Sequence, residues 1–172
     1  MSDQTSWEEP RHAWRTGRSA RDLDEVDRRL LAELTKDGRL SIRALAERAH
    51  VSRANAYARV NRLVADGVIT GFAAEVDPER AGLGTSAYVL LTIQQNTWRE
   101  VAAALGELPY IQHFALVGGD FDVLALVRAP DNASLRHIVL ERIQEIDGVR
   151  GTRTWLIFDE HDGRGVDWTA AG

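Results

Sequence analysis

Residues 41–63, SIRALAERAHVSRANAYARVNRL, constrain the fold of this 172-residue chain more than any other stretch. Ile42, Leu45, Ala46 and Ala49 recur at helical spacing, and Ala56, Val60 and Leu63 do so again after a short break. Ser41 and Ser52 each stand just before one of these runs, where a side-chain oxygen can cap free backbone N–H groups. The spacing predicts two short helices joined by the turn Ala49-His50-Val51. His50 stands where such a turn needs positive φ and usually takes Gly, a region that His tolerates at moderate cost. Ala46 is small, as a close helix crossing requires.

A further helix is expected from Asp24, an N-cap followed by Glu25 and Asp27 in the first turn, with Val26, Leu30, Leu31 and Leu34 at helical period. Asp37 and Gly38 end it. Three helices in this order, the last two joined tightly, make a helix-turn-helix, whose last helix is the one that enters a DNA major groove. Its outward residues are Ala54, Tyr57, Ala58, Asn61 and Arg62, with Arg53 and Asn55 flanking the first turn. No acid interrupts it between Ser52 and Ala65. Arg59 lies at the edge of the core face, where an ion pair with Asp27 and a phosphate contact are both open readings.

The net charge of −5 argues at first against a nucleic-acid partner, but its distribution reverses that. Residues 24–66 carry nine basic and seven acidic groups, a net of +2. Residues 67–172 carry eight and fifteen, a net of −7. Affinity for DNA follows local charge. A local charge of only +2 implies weak binding by one copy and a need for a dimer. No apolar run is long enough to span a bilayer, the N-terminus lacks the apolar stretch of a secretory signal, and there is no Cys. The expected location is the cytoplasm, with no membrane partner.

Residues 1–22 show neither helical nor strand period, with Trp7 and Trp14 isolated among polar residues, and read as a disordered arm. Residues 23–76 form the DNA-binding domain. Gly67 closes its last helix, and Val68, Ile69, Phe72 and Val76, interrupted by Gly71, suggest a short two-stranded wing. Residues 77–84, with Asp77-Pro78, Gly82 and Gly84, read as a linker. Beyond it the pattern changes. Strands are expected at Ala87–Ile93, Ile111–Val117, Val123–Val127 and Thr152–Phe158, and helices at Trp98–Leu108 and Asn132–Ile146. Gly118-Gly119-Asp120 joins the second and third strands as a hairpin. The order βαββαβ over residues 85–160 is that of a ferredoxin-like domain. Residues 161–172 read as a flexible tail. The fold class is thus α+β, a winged helix-turn-helix hinged to a ferredoxin-like domain.

These residues resemble the Lrp/AsnC family of feast/famine transcription regulators from about Leu23 to Glu160. The likeness begins with Leu23-Asp24-Glu25-Val26-Asp27, Leu30-Leu31 and Leu34. It continues through Asp37-Gly38-Arg39, Leu45-Ala46, Ser52, Arg59-Val60, Arg62-Leu63 and Gly67-Val68-Ile69. In the second domain it takes in Gly119-Asp120-Phe121-Asp122, Gly148-Val149 and Thr152-Arg153-Thr154. The resemblance implies a DNA-binding regulator whose second domain binds a small effector, commonly an amino acid, and assembles dimers into octamers or similar rings. Ala56 is smaller than the branched residue expected there, His50 replaces a small turn residue, and the arm is longer than usual.

Two sites follow. For double-stranded DNA, the capped helix starts at Ser41 and Ser52 offer backbone N–H groups to phosphates. Arg53 and Arg62 suit phosphates or guanine, and Asn55 or Asn61 suits adenine, beside Ala54, Tyr57 and Arg59 on the same helix. A dimer presents two such helices to a roughly palindromic operator. For the effector, Gly118 and Gly119 let backbone amides approach a carboxylate, Asp120 and Asp122 can pair with an α-ammonium, and Thr152 and Thr154 share a strand face. On the residues alone, a glycine turn with a capping Asp accounts for the same run; the resemblance adds the effector. An enzyme would need a site such as Asp120, Asp122, Asp159, Glu160, His161 and Asp162, yet none of the common hydrolase, nucleotide or zinc motifs is present. No catalysis, metal or cofactor is expected. The competing reading is a small-molecule sensor or assembly module of the same fold with little or no specific DNA binding.

Overall fold

The computed structural model describes residues 23–170 and divides them into two units. The expected arm at 1–22 lies outside the described residues. The first unit ends at Ala74 and also takes in the segment from Gly163; the second spans Glu75–Asp162.

Three helices build the first unit: α1 (Glu25–Lys36), α2 (Ile42–Ala49) and α3 (Arg53–Ala65). Each begins on the residue expected. Asp24 and Asp27 form a reciprocal capping box on α1, and Ser41 and Ser52 accept from the amides of Ala44 and Asn55. The turn between α2 and α3 uses His50 in the left-handed region, at φ 56° and ψ 45°. Its N–H and that of Val51 satisfy carbonyls at the end of α2. Leu30, Leu45, Ala46, Ala49, Ala56 and Val60 form the core, with Val26, Leu34, Ile42, Val51 and Ile69 at its margin. Ala56, small as it is, is fully buried.

The wing differs from expectation. The class is a winged helix-turn-helix, but residues 68–76 pair no strands among the described residues. Val68 and Ile69 instead both donate to the carbonyl of Leu63, tying the segment to the end of α3. Ile69 meets the core, while Phe72 and Val76 stay exposed, so alternation along this stretch has no second buried face to satisfy. The linker is also more ordered than its composition suggests. Asp77 opens a compact turn, accepting from Arg80 N on its side chain and from Ala81 N on its carbonyl.

The second unit is a four-stranded antiparallel sheet in the order β2-β3-β1-β4, with β1 (Thr85–Ile93), β2 (Ile111–Leu116), β3 (Val123–Ala129) and β4 (Val149–Ile157). With α4 (Trp98–Gly106) and α5 (Asn132–His137) this is the βαββαβ arrangement of the ferredoxin-like fold. The helices cover one face. Val101, Leu105, Leu135, Ile138, Val139 and Ile143 pack on Ala87, Val89, Leu91, Val123, Ala125 and Val127. The last helix is not α-helical to Ile146 as expected. From Ile138 to Ile143 it widens into a π-helical turn, with Gln144 N donating to Val139 O. Ile138, Val139 and Ile143 within it are all buried. Among the described residues, no helix is long and apolar enough to cross a membrane.

Candidate DNA-reading helix and effector turn

The outer face of α3 is built by elimination. Ala56, Val60 and Leu63 face the core, which leaves Arg53, Ala54, Asn55, Tyr57, Ala58 and Asn61 exposed. Ser52 caps the helix over 3.2 Å, and the remaining amides of the first turn point outward with the positive end of the helix dipole. Ser41 does the same for α2 over 3.2 Å. Tyr57 is 59% exposed.

The three arginines of α3 have different situations. Arg59 donates from Nη1 to Asp27 Oδ1 at 2.9 Å and to Asp24 Oδ2 at 2.6 Å. The ion pair with Asp27, one of the two readings open from sequence, is present. Arg62 is exposed, as expected, and also reaches back to the other oxygen of Asp27. Asp27 is 1% exposed, so a buried carboxylate holds two guanidiniums and ties α1 to α3. The Asp24 carboxyl is held below the usual range, first by the Asp27 amide and then by Arg59. Arg53 alone of the three makes no side-chain ion pair or hydrogen bond among the described residues. Sequence reasoning named Asp27 only as a possible partner of Arg59. Its full burial and double pairing depend on a contact across more than thirty residues.

The second candidate site lies at one end of the sheet. Gly118, Gly119 and Asp120 form the exposed tip of the β2–β3 hairpin, which Val117 N closes by donating to Asp122 O at 2.9 Å. Gly119 sits at φ +136°, a conformation that L side chains rarely adopt, and a Cβ at Gly118 or Gly119 would meet nothing within 4 Å. Backbone amides at this tip are open to a small ligand. Asp120 is exposed and has no side-chain partner among the described residues.

Asp122 is different. Its Oδ2 accepts from Ile93 N at 2.8 Å and its own N–H donates to Leu91 O at 2.9 Å, so it staples the hairpin to the end of β1. This is the strand-capping use left open by the sequence. Thr152 lies opposite Leu91 and Thr154 opposite Val89, which puts both on the helix-covered face. Thr152 Oγ1 accepts from Gln144 Nε2 at 2.8 Å, and Thr154 is exposed. Leu91 is flanked by Val123 on one side and Thr152 on the other, so Thr152 and Val123, at the base of the hairpin, lie about 10 Å apart across β1 at one end of the sheet. Gln144 was not singled out from sequence; Phe121 and Arg153 were named only in the motifs that carry the resemblance, and the Arg153 guanidinium lies 5.3 Å from the Phe121 ring centre.

The acidic run after β4 does not assemble a catalytic cluster. Glu160 ion-pairs with Arg128 at 2.8 Å, and His161 meets Asp159 at 3.1 Å on the surface. Among the described residues no three metal-ligating side chains converge.

Comparison with known proteins matches both units. Residues 23–70 match the family described as winged helix-turn-helix DNA-binding, and residues 86–166 match the Lrp/AsnC ligand binding domain. The leucine-responsive regulatory protein of Salmonella typhimurium is 35% identical over 146 residues, covering 83% of this chain and 89% of that protein. The HTH-type transcriptional regulator AldR of Mycolicibacterium smegmatis is 35% identical over 143 residues, covering 81% and 84%. A transcriptional regulator of Neisseria meningitidis, solved as a complex with L-Met, superposes with a TM-score of 0.77 at 25% identity, covering 83% of this chain and 94% of that one.

Proposed function

This chain belongs to the Lrp/AsnC family of helix-turn-helix transcriptional regulators, and from that premise we propose that it is a sequence-specific DNA-binding regulator whose assembly and DNA binding respond to an amino acid. The observation that carries the DNA half is the outer face of α3, which has no acid and keeps Arg53 unpaired. In this reading Arg53, Ala54, Asn55, Tyr57 and Asn61 lie against the major groove, while the capped starts at Ser41 and Ser52 meet phosphates. Arg59 and Arg62 brace the helix from behind through Asp27. A regulator of this kind works beside the DNA, in the cytoplasm.

The dimer that a palindromic operator needs has a surface in the second unit. Helices cover one face of the sheet; the other carries Tyr88, Leu90, Leu124, Leu126 and Trp155, and Trp155 is 52% exposed. That apolar cluster, with Arg128 and Arg153 on the same face, is suited to a second copy. Higher assembly to an octamer or similar ring is the family's habit and is proposed on that ground.

For the effector, the open amides of Gly118 and Gly119 suit a carboxylate and the unpaired Asp120 suits an α-ammonium. Asp122 and Thr152 frame that end of the sheet, and Thr154 follows along the same face opposite Val89. The Neisseria relative, solved with L-Met, supports this chemical class. A ligand there alters DNA binding only if it binds two assembly states unequally.

The test begins by selecting a duplex from a random library with the full-length protein. Arg53→Glu should abolish preferential binding to that duplex while size-exclusion chromatography shows an unchanged assembly. Unchanged affinity would exclude α3 as the reading helix. A thermal shift with single amino acids should identify a stabilising effector, and Asp120→Ala should reduce that shift. An effector that stabilises both proteins equally would move the site elsewhere.

A further inference from the structure

The hydrogen bond between Arg59 and Asn55 decides which edge of Asn55 faces outward. Arg59 Nε donates to Asn55 Oδ1 at 2.6 Å. A guanidinium has donors and no acceptor, so the amide must turn its oxygen, not its nitrogen, toward Arg59. Arg59 in turn is fixed by Asp24 and by the buried Asp27, at 2.6 and 2.9 Å from Nη1. Asn55 itself is exposed in the first turn of α3, and its backbone N–H is already committed to Ser52 Oγ. What remains directed outward is its –NH2 group.

We propose that Asn55 is a base-reading residue held as a pure donor by Arg59, and that it selects guanine instead of the adenine its side chain ordinarily reads. This rests on the reading of α3 as the DNA-contacting helix. An unrestrained Asn pairs with adenine by accepting from N6 and donating to N7. Here Arg59 takes one of the amide oxygen's two lone pairs and turns that oxygen toward itself. The two remaining N–H bonds match an edge made only of acceptors, and guanine, with N7 and O6, presents that edge in the major groove. Arg59 and Asp27 act as positioning residues: they set the orientation of Asn55 without touching DNA themselves.

The experiment uses the full chain and duplexes selected from a random library. Wild type should prefer guanine over adenine by about tenfold at one position of each half-site. Asn55→Asp keeps the acceptor for Arg59, adds a carboxylate at a helix start where it is tolerated, and replaces the donor with an anion. It should lose that guanine preference and bind the selected duplex at least about tenfold more weakly. Arg59→Met removes the lock while keeping most of the aliphatic stem; it should accept adenine at the same position nearly as well as guanine. Should that variant fold poorly by circular dichroism, 7-deazaguanine replaces it as the probe. Loss of N7 should weaken wild type and leave Asn55→Ala unaffected.

Adenine selected at the position that depends on Asn55 would overturn the proposal. So would an Asn55→Asp variant that weakens all duplexes equally, the signature of a phosphate contact. If Arg53→Glu abolishes binding while Asn55→Asp changes nothing, α3 still reads DNA and the role given to Asn55 is wrong. If Arg53→Glu also leaves binding intact, the helix assignment falls first and this inference with it.

Discussion

Removing the Asp27 carboxylate should loosen α1 from α3 more than any other single change to a charged group in the first unit. Its side chain is 2% exposed, and its two oxygens hold Arg59 and Arg62. Breaking a buried pair by deleting one partner costs roughly 3–5 kcal/mol when the other charge is left stranded. Here neither arginine is fully stranded: Arg59 keeps Asp24, and Arg62, with its side chain 41% exposed, can rehydrate. The pairing loss is therefore placed lower, at about 2 kcal/mol. Asp27→Ala also removes one arm of the capping box on α1, worth roughly 0.5–1 kcal/mol. The sum, about 2.5–3 kcal/mol, corresponds to a roughly 60- to 150-fold loss of protection. Hydrogen exchange of the α1 and α3 amides reads it directly, without assuming that both units unfold together. Arg62→Ala is the control; it leaves the Asp27–Arg59 pair in place and should cost no more than about 1 kcal/mol. If Asp27→Ala changes protection less than about threefold, or no more than Arg62→Ala does, the network does not join the helices as argued.

Other consequences are equally concrete. His50→Gly should raise stability by up to about 1 kcal/mol in a urea titration, because glycine adopts φ 56° without the strain that His carries. Gly148→Ala should destabilise the second unit by about 2–3 kcal/mol on thermal denaturation, since φ is +96° there and a Cβ would run into Thr97. The Asp24 carboxyl titrates lower when folded than its ordinary 3.8, so its stabilisation is complete above that pH and is lost as the pH falls below it. Asp24→Asn should flatten the acid limb of an exchange-versus-pH profile below pH 3.8, and only modestly, since that carboxyl is half exposed. Leu126→Glu, on the open sheet face, should disperse the assembly on light scattering while leaving the circular dichroism of the chain unchanged.

What the sequence disclosed was local chemistry. Asp24, Ser41 and Ser52 declare helix starts because a cap needs only a side chain and the next three amides. His50 declared its positive φ because the turn length left no other geometry. The four strands and their order also followed from periodicity, although β4 starts at Val149 and not Thr152 and β3 runs on to Ala129. The failures are of contacts distant in sequence or of energies that alternation does not encode. The wing residues alternate but have no second face to bury. The helix after Asp131 keeps α-helical apolar spacing to Ile146, and nothing in that spacing marks the π-helical turn at Ile138–Ile143. At the candidate sites, residue types in the right places were legible, but their partners were not. Nothing near Asp122 announces Ile93, and nothing near Arg62 announces Asp27. Those partners decide which polar groups remain available to a ligand.

The most direct test of the central claim is a fluorescence anisotropy titration. It would compare the selected duplex with a scrambled one across a salt series, with and without a pool of amino acids. The account predicts at least about a thousandfold preference for the selected duplex, an affinity that falls steeply with salt as phosphate contacts are lost, and a shift on adding the pool. Equal affinity for both duplexes at every salt concentration would contradict it, and would leave the second unit's ligand binding as the function to be explained.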